Sequence, residues 1–116
     1  MKKVKTFTAT IYCGFRPGYG TMVHLPEDYF KIAENICQEY CDSIGYCVTV
    51  EPTKFIYKGG SEEGVRVGLI NYPRFPNQIR DTKEHAMILA EQLKSKLKQE
   101  RVSIVFSDET VMLGDA

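Results

Sequence analysis

Arg74 and Phe75 sit in a ten-residue stretch from Gly68 to Asn77 (GLINYPRFPN), where an apolar strand runs into Asn71, Tyr72, Arg74 and Phe75 around two prolines. Pro73 and Pro76 fix their own φ near −65° and push the preceding residues into extended conformations, so the guanidinium and the ring have little entropy left to lose on binding. A guanidinium beside an aromatic ring suits a phosphorylated ligand that carries a base. The same residues also fit a plain strand-to-helix connector in which Phe75 packs on the core.

Two further segments can meet such a ligand. One is the glycine loop from Gly14 to Gly20 (GFRPGYG), with Phe15, Arg16 and Tyr19; the other is the end of the chain, with Arg101, Ser107, Asp108 and Thr110. The glycine loop fits neither G-x-G-x-x-G nor the P-loop pattern, so it licenses no dinucleotide fold or NTPase, and its first reading is a tight strand-to-helix connection. Asp108 and Glu109 can serve ribose hydroxyls or simply form a charged turn. No serine or cysteine has a recognisable base beside it, and His85, among Lys83, Glu84 and Met87, reads as a solvated surface histidine. Cys13, Cys37, Cys41 and Cys47 lack a C-x-x-C pair, and His24 and His85 lie far from them, so buried core thiols are expected rather than a metal site.

A length of 116 residues predicts a single domain, 1–116, so function must share the fold. Fifteen basic residues balance fifteen acidic ones, which removes the summed positive field of a general nucleic-acid or membrane binder. The apolar runs are far shorter than the roughly 20 residues of a membrane helix, and Lys2, Lys3 and Lys5 precede a threonine-rich stretch rather than a signal region. A soluble protein of the cytoplasm is expected.

The elements that must position these residues follow from periodicity. Phe7, Ala9, Ile11 and Cys13 alternate with Thr6, Thr8, Thr10 and Tyr12, giving a half-buried strand with a hydroxyl-rich outer face that can line a polar pocket or a subunit contact. Pro26 with Glu27 and Asp28 opens a helix whose stripe of Phe30, Ala33, Ile36, Cys37, Tyr40 and Cys41 ends at Gly45. Residues 46–51, extending toward Tyr57, and 65–72 predict an antiparallel hairpin around a turn-rich connection at 58–64. Ile79, Ala86, Ala90, Leu93 and Leu97 trace a second helix, Val102, Ile104 and Phe106 a fourth strand, and the tail after Leu113 is short. The order β-α-β-β-α-β predicts an α+β, ferredoxin-like split βαβ sandwich: two helices on one face of a four-stranded antiparallel sheet, the other face open to ligand or to a second copy of the chain.

Taken together, Thr8 to Gly14 (TATIYCG), Gly68 to Pro76 (GLINYPRFP) and Arg101 to Leu113 (RVSIVFSDETVML) resemble the first described kind of phage anti-Thoeris proteins, over nearly the entire chain. The resemblance implies a small cytoplasmic homo-oligomer that sequesters glycocyclic ADP-ribose, the signal made by bacterial TIR-domain proteins, without degrading it, and that in some members also holds cyclic trinucleotides. It implies no cofactor and no catalysis. On it, Phe75 stacks on adenine, a contact of roughly 1 to 3 kcal/mol; Arg74 and Arg101 grip the pyrophosphate; Asn71, Asp108 and Thr110 serve ribose hydroxyls; and Arg16 and Tyr19 close the pocket. The rival from another class is a small acylphosphatase-type phosphohydrolase on the same fold: Gly14-Phe15-Arg16 is similar to its phosphate loop, although that family's fuller signature is absent.

Overall fold

In the computed structural model, which describes residues 1–17 and 22–114, the alternation of the first strand settles which side is inside. Along β1 (Thr8–Gly14) Ala9, Ile11 and Cys13 are buried, while Thr8, Thr10 and Tyr12 face the other way and are only partly covered. Helix α1 (Pro26–Ile44) starts at a proline, whose missing N–H is not needed in a first turn, and carries Glu27 and Asp28 near its positive end. It stops at Gly45, whose φ of 68° is left-handed and lets its N–H reach the Cys41 carbonyl at 2.8 Å. Its buried stripe is Tyr29, Ala33, Ile36, Cys37 and Tyr40; Phe30 is only partly covered, and Tyr29 instead stacks on Phe15 at 5.6 Å.

Strands β2 (Thr49–Tyr57) and β3 (Gly60–Ile70) form a long hairpin closed by Lys58 and Gly59, with Gly59 at φ 84°. The turn expected over 58–64 is thus only two residues. The polar run Ser61 to Gly64 pairs with Thr53 to Ile56, because a hairpin reaching past the helices buries little and needs few apolar side chains to stay paired. Pro52 is tolerated inside β2 because β2 is an edge strand. Helix α2 (Ile79–Lys96) buries Thr82, Ala86, Leu89, Ala90 and Leu93.

β4 (Val102–Phe106) pairs with β1, and β5 (Thr110–Leu113) then turns back beside β4. The sheet is antiparallel with five strands ordered β2-β3-β1-β4-β5, the ferredoxin-like order plus one edge strand that was not expected from the sequence. Both helices lie on one face, over a core that includes Ile11, Val67, Leu69, Leu89, Leu93 and Ile104. No helix among the described residues is long and apolar enough to cross a membrane.

Candidate functional site

The opposite face of the sheet is read from the strand register. Thr49, Gly68, Thr10, Val105 and Thr110 form one row across the five strands, and Glu51, Arg66, Tyr12, Ser103 and Met112 form the next. No helix among the described residues covers either row. Thr8, Thr10, Thr49, Glu51, Arg66 and Gly68 line a chamber of about 250 Å³ on this face. Thr8 and Ile70 also line an adjoining chamber of about 420 Å³, whose other walls include Lys3, Thr6, Phe7, Asn71 and Pro73. The two make one groove that starts at the proline loop and ends at an arginine and a glutamate.

Arg66 is the unusual member. Its guanidinium carbon lies 5.5 Å from the centroid of the Tyr12 ring, so a cation–π contact fixes its direction, yet its Nε is buried without a hydrogen-bond partner among the described residues. A buried unpaired donor of this kind costs on the order of 1 to 3 kcal/mol. Glu51 is directly opposite Arg66 in the ladder, yet among the described residues neither side chain forms an ion pair. The missing side chain at Gly68 makes room for Thr49, whose Oγ1 would lie 2.5 Å from a Cβ built there. Sequence reasoning drew attention to the threonine row but missed Arg66 and Glu51. The signal lay in Val65-Arg66-Val67-Gly68, where strand alternation puts Arg66 and Gly68 on the face of Thr8 and Thr10.

The residues singled out from the sequence divide between two ends of β1. At its C-terminal end, Arg16 and Arg101 share a cavity of about 270 Å³ with Glu62, Gln99 and Glu100. The Arg16 guanidinium donates to the Tyr57 hydroxyl at 3.3 Å and to the Ser61 carbonyl at 3.4 Å, its backbone N–H donates to Glu62 at 2.9 Å, and Gln99 donates to its carbonyl at 3.0 Å. Arg16 thereby ties β1 to the hairpin tip. Tyr19 lies outside the described residues.

At the other end, the Phe75 N–H donates to the Tyr72 carbonyl at 3.1 Å in a tight turn, and the two rings pack at 5.3 Å. Arg74 and Phe75 are exposed, Phe75 at 46%. Asn71 braces the groove wall: its Nδ2 donates to the Lys5 carbonyl at 2.9 Å and its Oδ1 accepts from the Asn77 N–H at 2.8 Å. Asp108 and Glu109 both hold Lys83, at 3.1 and 2.7 Å, and Lys83 also lies over the Phe106 ring. Thr110 is exposed on β5, opposite Val105. Seven residues of strand at about 3.3 Å each separate the two ends by about 20 Å, so within one chain Arg16 and Arg101 do not meet Arg74 and Phe75.

His85 is not the solvated surface residue expected from its neighbours in sequence. Its Nδ1 is 2.7 Å from the Tyr40 hydroxyl and its ring packs on Tyr46 at 4.4 Å, because the two helices meet along that face. Burial pushes the Tyr46 hydroxyl up, although Thr82 and Asn77 lie near enough to pull it partly back; neither Tyr46 nor Thr82 has a hydroxyl partner at full hydrogen-bond geometry. Cys37, Cys41 and Cys47 line a cleft of about 290 Å³ between α1 and β2. Burial first, then Cys41 and Glu34, pushes the Cys37 thiol up to about 12, and burial with Glu62 does the same to Cys13. Both are poor nucleophiles. Among the described residues no group of three or more His, Cys, Asp or Glu side chains is arranged to hold a metal ion.

No family model matches the chain, and no curated protein does. Among solved structures, it is similar to a phage SAM lyase in the apo state, with a TM-score of 0.73 and 18% identity over 99% of this chain and 95% of that one. A phage SAM lyase in complex with S-methyl-5′-thioadenosine matches with the same TM-score, 17% identity and the same coverage. At this identity the likeness establishes the fold. The expectation of a non-catalytic protein is corrected on this point, since both matched structures are of a lyase. The lack of a nucleophile beside a base carried that expectation, and it is a weak guide, because catalysis by orientation or by electrostatic stabilisation needs neither.

Proposed function

We propose that the chain is a phage enzyme acting on an adenosine-bearing small molecule, and that its substrate is SAM, cleaved to release S-methyl-5′-thioadenosine. The observation that carries this reading is the groove on the uncovered face of a sheet whose whole fold matches a SAM lyase, one of the matched structures holding that product. The chamber beside the proline loop takes the adenosine. Phe7 is the ring in its wall, with Asn71 and Pro73 of the proline loop at its edge.

In the reaction the bond from the sulfonium to Cγ of the amino-acid chain breaks, and its electron pair stays on sulfur to give a neutral thioether. Cγ is resupplied from within the same fragment by its own carboxylate oxygen, which closes a five-membered lactone, so no water is consumed and no proton is released. Positive charge on sulfur disappears along this path, which a partly dehydrated groove favours over bulk water. The protein's contribution is then orientation, a term that can amount to several kcal/mol of barrier. A second copy laid over exposed Ile70, Val105 and Met112 would roof the groove, in keeping with a homo-oligomer.

Incubation of the purified protein with SAM, followed by chromatography and mass spectrometry, tests the reading. Release of S-methyl-5′-thioadenosine beyond one equivalent per chain is expected, and none above the no-protein background overturns it. Glycocyclic ADP-ribose, the ligand that the sequence resemblance implies, shares the adenosine and belongs in the same assay as a competitor. Slowed release identifies the adenosine chamber as common ground; unchanged release at saturating competitor separates the two ligands.

A further inference from the structure

We propose that Arg66 and Glu51 form a reader for a free α-amino-acid end, and that on the reading above this chamber holds the methionine portion of SAM. The two residues are direct partners across β2 and β3, which places their Cβ atoms about 5 Å apart on one face. They are opposite in charge and, among the described residues, unpaired with each other or with any other charged group. An α-amino acid presents a carboxylate and an ammonium on a single carbon, so adjacent receptors of opposite sign are what it requires. A phosphate would gain from Arg66 but be repelled by Glu51.

The Arg66 guanidinium is held over Tyr12 and its Nε is buried without an acceptor, so the fork is oriented before any ligand arrives. Thr8, Thr10 and Thr49 add hydroxyls around it, and the bare backbone of Gly68 is what lets the Thr49 hydroxyl sit there. The chamber shares Thr8 and Ile70 with the larger one beside the proline loop, so adenosine and amino acid can occupy the groove as one extended molecule.

Calorimetric titration with S-adenosylhomocysteine, which has the amino-acid end but no sulfonium to leave, against S-methyl-5′-thioadenosine, which has no amino-acid end, tests the assignment. Arg66→Gln and Glu51→Gln are each expected to weaken S-adenosylhomocysteine by about tenfold or more while S-methyl-5′-thioadenosine stays within about twofold. Parallel loss of both ligands would put adenosine in this chamber and overturn the proposal, as would no loss of either. Arg66→Lys, which keeps the charge but not the fork, gives an intermediate loss and serves where Arg66→Gln does not fold. Should the parent protein bind neither adenosyl ligand, the SAM reading fails by itself; L-methionine binding that Arg66→Gln removes would then still support the chamber, and no L-methionine binding would reject it.

Discussion

The Tyr40 hydroxyl on α1 and Nδ1 of His85 on α2 are 2.7 Å apart, and the same imidazole packs on Tyr46 beyond the end of α1. This polar contact joins the two helices on the covered side of the sheet. Deleting one partner strands the other in a partly buried site, so Tyr40→Phe and His85→Leu are each expected to destabilise by about 1 kcal/mol. The double variant should lose less than the sum, with a coupling of about 0.5 kcal/mol or more in urea denaturation. Additive losses would mean that the contact contributes nothing.

That contact was invisible in the sequence, where His85 has charged neighbours on both sides, because helix–helix docking sets its surroundings and periodicity within α2 does not. Elements with punctuation were legible: Pro26 and Gly45 bound α1 to the residue, and the alternation of Phe7 to Cys13 gave the buried face of β1. β5 was missed because four residues carry too short an alternation, and Asp108-Glu109 reads as an ending when it is the turn of a hairpin, with the Phe106 N–H donating to the Glu109 carbonyl at 2.7 Å. Arg66 and Glu51 were missed because their meeting depends on the register of β2 against β3, fixed by the two-residue turn at Lys58-Gly59 rather than the longer connection expected.

Close approach of backbones makes a second prediction. A Cβ at Gly64 would lie 2.6 Å from the Cys13 carbonyl oxygen and 2.5 Å from the Phe55 ring, whereas at Gly45 nothing lies within 4 Å and only the positive φ opposes a side chain. Gly64→Ala should therefore cost about 1 to 3 kcal/mol through overpacking and separation of β1 from β3. Gly45→Ala should cost about 1 kcal/mol from backbone conformation alone. Chemical denaturation measures both, and an unaffected Gly64→Ala protein would contradict the strand pairing.

The thiols predict a reactivity order and an alkaline limit. Cys47 is exposed, whereas Cys13 and Cys37 are buried with pKa values pushed up to about 12 from 9.0. In native protein at pH 8, iodoacetamide followed by peptide mass spectrometry should label Cys47 first and leave Cys13 and Cys37 unmodified until unfolding. A raised pKa means that the folded state holds the proton more tightly. The stability this represents is fully present below 9.0 and is lost as pH rises toward about 12. Cys13→Ala/Cys37→Ala should show a shallower decline of melting temperature across that window than the parent, and parallel declines would assign the alkaline loss to other groups.

Separation of the two ends of β1 makes the last prediction, which locates the site. Arg74 and Phe75 are exposed on the proline loop whose Asn71 and Pro73 line the groove, so Arg74→Ala and Phe75→Ala should lower release of S-methyl-5′-thioadenosine from SAM by about tenfold or more, equivalent to about 1.4 kcal/mol of transition-state stabilisation. Stability should stay within about 1 kcal/mol of the parent, as for most exposed positions. Arg16 is about 20 Å away along β1, and its partners Tyr57, Ser61 and Glu62 belong to the hairpin tip. Arg16→Ala should therefore lower the melting temperature while leaving release per folded chain within about twofold. If instead the folded Arg16→Ala protein fails to release product while Arg74→Ala and Phe75→Ala work normally, the reaction takes place in the Arg16 and Arg101 cavity. If all three fail, a neighbouring copy must bring the two ends together, and mixing inactive Arg16→Ala with inactive Phe75→Ala chains should restore part of the activity.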